Sequence, residues 1–381
     1  MNLNNVKPMH VPFVNLAVQY AELENELVDI FRQVGRSGQY VFGPQVELFE
    51  KELSLVCQSN YALAVGNGTD ALALALLGYG IGAGDEVITA PNSFIATAGA
   101  INEVGAEIRF ADVDEDYNLD PQRVVEKISE KTKAIIVVHL TGNPAKMNEF
   151  RSIADEYGLV LIEDAAQAIG AKYQGRKVGS LGDVACFSLH PLKNFHLMGD
   201  AGFITMRDSE IFERVKKLRN HGLINRDEAG FWGRNSRCDT LQAAIGLKKL
   251  PYFEKWTARF QQIAAIYTSE LTGIVQCPYF RKEDAPVFHN FVIQVEKRAE
   301  FMQILLDHGV ETKIHYPVPL HLMQAAKNLG YKKGDFPVVE KQAERIVSLP
   351  IYPELSNEQV EHVVNTVKRA ASLINIELKE A

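Results

Sequence analysis

Cysteine is scarce in this chain. Four residues in 381, Cys57, Cys186, Cys238 and Cys277, lie far apart with no CxxC pair. That spacing suits neither a disulfide framework nor a thiolate zinc site, and a reducing compartment is expected. Positive charge is also short: 40 Lys and Arg against 48 Asp and Glu leave a formal net charge of −8. Such a balance argues against general affinity for nucleic-acid backbones or anionic membrane surfaces, so small molecules are the expected partners. No apolar run approaches the ~20 residues of a membrane span. The opening MNLNNVKPMHVPFVNL has no basic region followed by a long apolar stretch, and a cytoplasmic protein is expected. Internal repeats, low-complexity tracts and long charge runs are absent as well.

What the chain does have is apolar material, 46% of residues against 23% charged, enough for a sizeable core in two or three domains. Between Tyr61 and Met206 the runs ALAV, EVITA, EIRFADV, AIIVVHL, LVLIED, VACFSL and GFITM alternate with helical patterns. This rhythm predicts an α/β domain with a mostly parallel sheet, and runs that are apolar throughout predict strands buried on both faces. Tyr20 to Ser54 reads as two helices around the turn SGQYVFGP. Ser209 to Arg219 and Asp239 to Leu250 are also helical. A boundary is expected at Leu250-Pro251, giving a large domain 1–250 and a small α+β domain 251–381. In the latter, FHNFVIQV and ETKIHYP are expected strands, and Phe253–Leu271, Arg298–His308 and Asn357–Leu373 expected helices.

The first candidate site is AVGNGTDALALAL, a strand followed by Gly66-Asn67-Gly68-Thr69 and a helix. Free amides at a helix start attract phosphate, although the same residues also suit a plain turn capped by Thr69. Gly66, Gly68 and Ala71 satisfy the dinucleotide pattern, but the next strand ends in Pro91-Asn92-Ser93 without the acid that would take a ribose. The dehydrogenase reading weakens and the phosphate reading stands. ADVDEDYNLD spaces Asp112, Asp114, Asp116 and Asn118 like a calcium loop. Tyr117 and Arg123 replace the required glycine and glutamate, so a solvated loop is expected, with Asp120-Pro121 starting a helix.

From Val184 to Met206 the only formal charges are Lys193 and Asp200. A lysine in apolar surroundings loses hydration, which favours its neutral, nucleophilic amine. LVLIEDAAQAIGA ends a strand with Glu163 and Asp164, and VACFSL delivers Ser188 and then Lys193 to the same expected sheet edge. Asp164 as a helix cap and Lys193 as a loop lysine are the plainer readings of each alone. Together with the phosphate-ready turn they match pyridoxal 5'-phosphate: its aldehyde needs a lysine, its phosphate needs amides and hydroxyls, and its ring nitrogen needs an acid. Phe94 is placed to stack on the ring.

With these residues assembled, the chain resembles the sugar aminotransferases of the DegT/DnrJ/EryC1/StrS family, fold-type I pyridoxal-phosphate enzymes with the aspartate-aminotransferase-like fold. VPFVNL, SGQYVFGP, GNGTDALALAL, GDEVITAPNSFIATAGAI, EDAAQAIGAKYQGRKVGSLGDVACFSLHPLKN, RNHG, NSRCDTLQAAIG, IHYPVPLH and SLPIYPELS carry the resemblance nearly end to end. It implies that Lys193 is the catalytic Schiff-base lysine and Asp164 the partner of the pyridine nitrogen. Gln167 would lie near the ring hydroxyl, Gly68, Thr69 and Ser188 would hold the phosphate, and Phe94 would cover the ring. Asn235 would reach the phosphate of a neighbouring subunit's cofactor, making the active unit a homodimer with shared sites. No metal is implied.

The resemblance further implies transfer of an amino group from L-glutamate to a keto-sugar, commonly a nucleotide-linked one. Amino sugars of this kind serve surface polysaccharides such as lipopolysaccharide O-antigen, or natural-product glycosylation. VPFVNL and SGQYVFGP are more similar to members that aminate C3, with a dTDP-linked 3-keto-6-deoxyhexose as example, than to those acting at C4. His315 and Tyr316 in IHYP match positions lining the sugar pocket of the C3 group, with strand-end packing as the competing reading. Arg226 and Arg234 suit a carboxylate or a pyrophosphate, and equally a solvated surface. His190 and His196 receive no role. Ala201 stands where the family commonly has a glycine, and Thr141 and Asn143 where an aromatic and a glutamine are frequent. Both loops are expected to border the sugar site and to mark an unusual substrate. A 4-keto nucleotide sugar, or a free keto-sugar or cyclitol, is the alternative acceptor. A non-catalytic cofactor-binding relative and a nicotinamide-dependent oxidoreductase are the alternatives from other classes.

Overall fold

The computed structural model describes residues 9–374. Two helices come first, α1 (Leu16–Ser37) and α2 (Pro44–Cys57), on either side of the expected turn. The alternating region follows: β1 (Tyr61–Val65), α3 (Gly68–Gly78), β2 (Glu86–Thr89), α4 (Ile95–Glu103), β3 (Glu107–Phe110) and α5 (Pro121–Val125). It continues with β4 (Thr132–Val138), α6 (Met147–Tyr157), β5 (Val160–Asp164), a short hairpin of β6 (Lys172–Tyr173) and β7 (Arg176–Lys177), β8 (Val184–Ser188) and β9 (Gly202–Met206). Then come α7 (Ser209–Leu218), α8 (Thr240–Lys249), α9 (Phe253–Leu271), β10 (Phe291–Gln294), α10 (Arg298–Asp307), α11 (Pro337–Arg345), β11 (Ile346–Leu349) and α12 (Asn357–Leu373).

Each of the seven apolar runs supplies one strand of a seven-stranded sheet in the order β1-β9-β8-β5-β4-β2-β3. Only β9 runs antiparallel to its neighbours. The uniform apolarity has a direct cause in the two-residue period of a strand. On β4, Ile135 and Val137 enter the core shared with α2, α6 and α8, while Ala134 and Ile136 enter the core under α3, α4 and α7. On β5, Leu161 and Ile162 divide in the same way. Helices on both faces therefore require apolar residues at both parities. The result is an α/β domain built on a mostly parallel sheet, as expected.

A separate core joins α9, α10 and α12 to the antiparallel pair β10 and β11. We propose residue 250 as the division between the two units, which these clusters support with exchanges in both directions. Val11 packs into the second core, whereas Phe253, Trp256, Val287, Leu320, Phe336 and Val339 pack into the first. Residues 1–8 and 375–381 of the expected domains lie outside the described residues.

Three expectations need correction. ETKIHYP forms no strand; it contributes an isolated bridge between Lys313 and Ser348, because only one short edge of β11 is open to it. The strand that pairs with β10 is β11, from the short run IVSL that the sequence reading passed over. The acidic loop is not solvated. Asp112, Asp116 and Asn118 are buried: Asp112 caps α11 by accepting from the Val338 and Val339 amides at 3.0 and 3.1 Å, and Asp116 pairs with Arg281 at 2.9 Å. Asp120 caps α5 as expected.

Candidate active site

The parallel strands end along one edge, and the edge opens into a cavity of about 990 Å³, within the range of small-molecule sites. At the end of β1, Asn67 rather than Thr69 caps α3, its Oδ1 accepting from the Asp70 amide at 2.8 Å. The cap leaves the Gly68 and Thr69 amides without a protein acceptor among the described residues. Gly68 lies so close to the end of β8 that a Cβ on it would come within 2.8 Å of Ser188 Cβ. Glycine is therefore demanded here by close approach. Ser236 ties this turn to the loop before α8, accepting from the Gly66 amide at 3.0 Å and donating to Asp70 at 2.6 Å.

Asp164 ends β5 and is buried, 5% exposed. Its Oδ2 accepts from the Thr97 hydroxyl at 2.7 Å and its Oδ1 from the Ala166 amide at 3.2 Å; residues 166–167 form a turn, not a helix. Burial raises its pKa, opposed in part by those bonds and by Lys193. Glu163, one residue earlier, points to the opposite face. There it binds His139 at 3.0 Å and the amides of Gly179, Leu181 and Gly182, outside the cavity.

Lys193 is held by its backbone. Its amide donates to the His190 carbonyl at 2.9 Å, and its own carbonyl accepts from His196 Nδ1 at 3.0 Å. Burial and the neighbouring Lys249 lower the His196 pKa to about 3, so the ring is neutral and acts as this donor. Phe195 and Leu197 anchor the loop in the core. The Lys193 amine itself has its pKa lowered to about 8 by burial, against the raising effect of Asp164. A buried carboxylate beside a lysine poised to be neutral is a set for carbonyl capture and proton movement.

Gln167 bridges two elements, accepting from the Thr141 amide at 2.7 Å and donating to the Tyr316 hydroxyl at 3.4 Å. Phe94 precedes α4 with its ring 5.7 Å from that of Tyr316. Burial, and then Asp164, raise the Tyr316 pKa to about 12, so the hydroxyl keeps its proton. His315 binds Ser348 Oγ at 2.9 Å. Lys193, Asp164, Gln167, Gly68, Thr69, Ser188, Phe94, His315 and Tyr316 thus all line one cavity.

Two expected residues lie elsewhere. Asn235 is exposed and paired in a bridge with Asn220, and Arg226 is exposed in the loop between α7 and α8; neither lines the cavity of its own chain. Arg234 pairs with Glu103 and with Asp70. The loop at Thr141 and Asn143 reaches the cavity through Leu140, not through those two residues. Thr97, His289 and Asn290 are among the lining residues that escaped sequence reading. Thr97 carries a recognisable signal, one turn beyond Phe94. His289 and Asn290 carry none, because the chain fold alone brings them from the β10 end to Lys193. Asn194 Oδ1 and Asn290 Nδ2 are buried here without a protein partner among the described residues, as expected of groups awaiting a ligand.

The sequence pattern of the DegT/DnrJ/EryC1/StrS aminotransferase family matches residues 21–368. The chain belongs to that family. A family relative from Aneurinibacillus thermoaerophilus, a dTDP-3-amino-3,6-dideoxy-alpha-D-galactopyranose transaminase, is 41% identical over 94% of this chain and 99% of its own. A pleiotropic regulatory protein of Geobacillus stearothermophilus is also 41% identical, over 94% and 98%. The solved structure of S. venezuelae DesV superposes with a TM-score of 0.93 at 39% identity, covering 95% of this chain and 98% of DesV. NtdA from Bacillus subtilis, solved with bound cofactor PMP, gives a TM-score of 0.90 at 30% identity, covering 97% and 86%. Family members are aminotransferases that use pyridoxal phosphate, and the protein is a pyridoxal-phosphate-dependent sugar aminotransferase. The free amides of α3, the close approach at Gly68, the buried Asp164 and the poised Lys193 fit that cofactor.

Proposed function

We propose that this DegT-family chain transfers the amino group of L-glutamate to a nucleotide-linked keto-sugar at C3, with a dTDP-3-keto-6-deoxyhexose as the favoured acceptor. The convergence of Lys193, Asp164 and the α3 start on a single cavity carries the catalytic part of this reading. The C3 preference is supported by His315 and Tyr316 lining that cavity, and by the 3-amino sugar product named for the Aneurinibacillus relative.

When bound, pyridoxal phosphate stores the amino group between the two half-reactions and spreads the electrons left by proton removal. The chain's own residues supply the rest. The Gly68 and Thr69 amides and the Ser188 hydroxyl would hold the phosphate at the positive end of α3. Asp164, fixed by Thr97, would keep the ring nitrogen protonated, and Phe94 would cover the ring face. Gln167 would stand at the ring hydroxyl, its orientation set by Thr141 and Tyr316. Lys193 would tether the cofactor and then, once released, move a proton between the substrate carbon and the cofactor as a general acid/base. A lysine with a pKa near 8 can both give and take that proton at neutral pH.

The same reading includes a cytoplasmic homodimer with shared sites, whose product serves surface polysaccharide or natural-product glycosylation. Support for the dimer comes from Asn235, exposed and away from its own cavity, beside exposed Phe231 and Trp232. An apolar surface of this kind suits a subunit interface. The deciding experiment is a visible spectrum of the purified holoenzyme before and after L-glutamate, followed by addition of dTDP-linked 3-keto and 4-keto sugars. Loss of the yellow band with glutamate and its return with the 3-keto sugar is expected. Return only with the 4-keto sugar would reject the C3 assignment.

A further inference from the structure

The extended segment after Val310 presents alternate residues to the cavity. Glu311, Lys313 and His315 line it, whereas Ile314 packs into the small cluster around Val138 and Val292. Reciprocal backbone hydrogen bonds between Lys313 and Ser348, 3.3 and 2.8 Å, hold this register. Lys313 makes no ion pair among the described residues, although an acid lies two positions away. Glu311 is already engaged, by the Phe13 amide at 3.1 Å and His10 at 3.3 Å.

The charges around the cavity make this lysine conspicuous. The lining carries five carboxylates, two lysines and no arginine. In the proposed function Lys193 is committed to the cofactor, which leaves Lys313 as the one cation of this lining available to an incoming anion. Both substrates of that reading carry negative charge remote from the reacting carbon: the side-chain carboxylate of the donor and the diphosphate of the acceptor. Either would be repelled by the surrounding carboxylates unless a cation offset them.

We propose that Lys313 is a specificity-determining residue that binds the remote oxyanion of the substrate. The inference rests on the aminotransferase function proposed above. An ammonium on a flexible stem offers three donors and a point charge, suited equally to carboxylate and phosphate. His315 agrees with this placement: its pKa is lowered to about 4, first by burial and then by Lys193 and Lys313, so the Lys313 charge reaches the same space. A neutral His315 beside a charged Lys313 would let one residue meet a sugar hydroxyl and the other an anion.

The test is Lys313→Met holoenzyme in two arms, loss of the visible band against L-glutamate concentration and its recovery against a nucleotide-linked keto-sugar. Exposed at the cavity wall, the substituted side chain leaves the fold and the cofactor band intact. The half-saturating concentration is expected to rise about tenfold or more in at least one arm, with little change in the limiting rate. Lys313→Arg should restore most of it. A rise in the glutamate arm assigns the carboxylate, a rise in the acceptor arm assigns the diphosphate, and a rise in both means the anions share the residue. Unchanged half-saturation in both arms overturns the inference, as does a lower limiting rate alone. A wild-type holoenzyme that converts with no amino acid would overturn the proposed function itself, which the Lys313 variant cannot mimic.

Discussion

The Thr97 hydroxyl donates to Asp164 Oδ2 at 2.7 Å, joining the first turn of α4 to the end of β5. This bond orients the carboxylate at the cavity wall and partly offsets the burial that raises its pKa. In Thr97→Val the donor is lost at nearly constant volume, so the Asp164 pKa should rise further. The acidic limb of the kcat/KM profile should move to higher pH, with activity at neutral pH down about tenfold. An unshifted limb would separate Thr97 from the function of Asp164.

Asp164→Asn tests the charge itself. The amide keeps the shape but cannot hold a proton on the ring nitrogen. Cofactor should remain bound, seen as retained absorbance after gel filtration, while the glutamate half-reaction slows about 100-fold or more. A near-normal rate would remove the proposed role.

Lys193→Ala should abolish both the lysine-bound cofactor band and transamination. The wild-type pH dependence is equally specific. Below its pKa the amine is protonated and cannot add to an aldehyde. Capture of pyridoxal phosphate by cofactor-free protein should therefore rise with pH through about 8, not 10.5. The sign for stability follows: between those two values the unfolded chain binds more protons than the folded one. The cofactor-free protein should gain stability over that range relative to Lys193→Met, read as a rising Tm difference.

Gly68→Ala places a methyl group against the Ser188 backbone and side chain, neither of which can swing away. Opening the turn should cost about 1–3 kcal/mol of stability and weaken cofactor binding, measured by equilibrium dialysis. Ser188→Ala, which relieves no backbone contact, should not rescue it.

Asn235→Ala and Lys193→Ala should complement each other if sites are shared between subunits. Hybrids formed by mixing the two inactive variants contain one site with both residues intact. Recovery of activity after mixing and refolding is expected, and none would follow from self-contained sites.

The sheet and the cofactor end of the site were legible in the sequence because they rest on local rules. Seven apolar runs became seven strands; the central ones, covered on both faces, need apolar residues at both parities, whereas β3 at the edge leaves Glu107 and Arg109 exposed. Lys193, Asp164 and Gly68 stood out because each breaks a local expectation: a charge in an apolar loop, an acid ending a strand, a glycine opening a helix. The same local rules misjudged the acidic loop. Asp112 and Asp116 look solvated until α11 and Arg281, more than 150 residues away, arrive to neutralise and cap.

By itself, then, the sequence determined the α/β class, the strands and the chemistry of the lysine, the carboxylate and the phosphate turn. Tertiary structure alone decided that Glu163 turns away from the cavity while Asp164 faces it, and that Thr97 holds Asp164 in place. It also decided that Lys313, His289 and Asn290 close the site from the second unit. The physical reason is range. Backbone periodicity and burial act over a few residues and leave their mark in the order of amino acids, whereas hydrogen bonds and charges between distant segments depend on how the chain is packed.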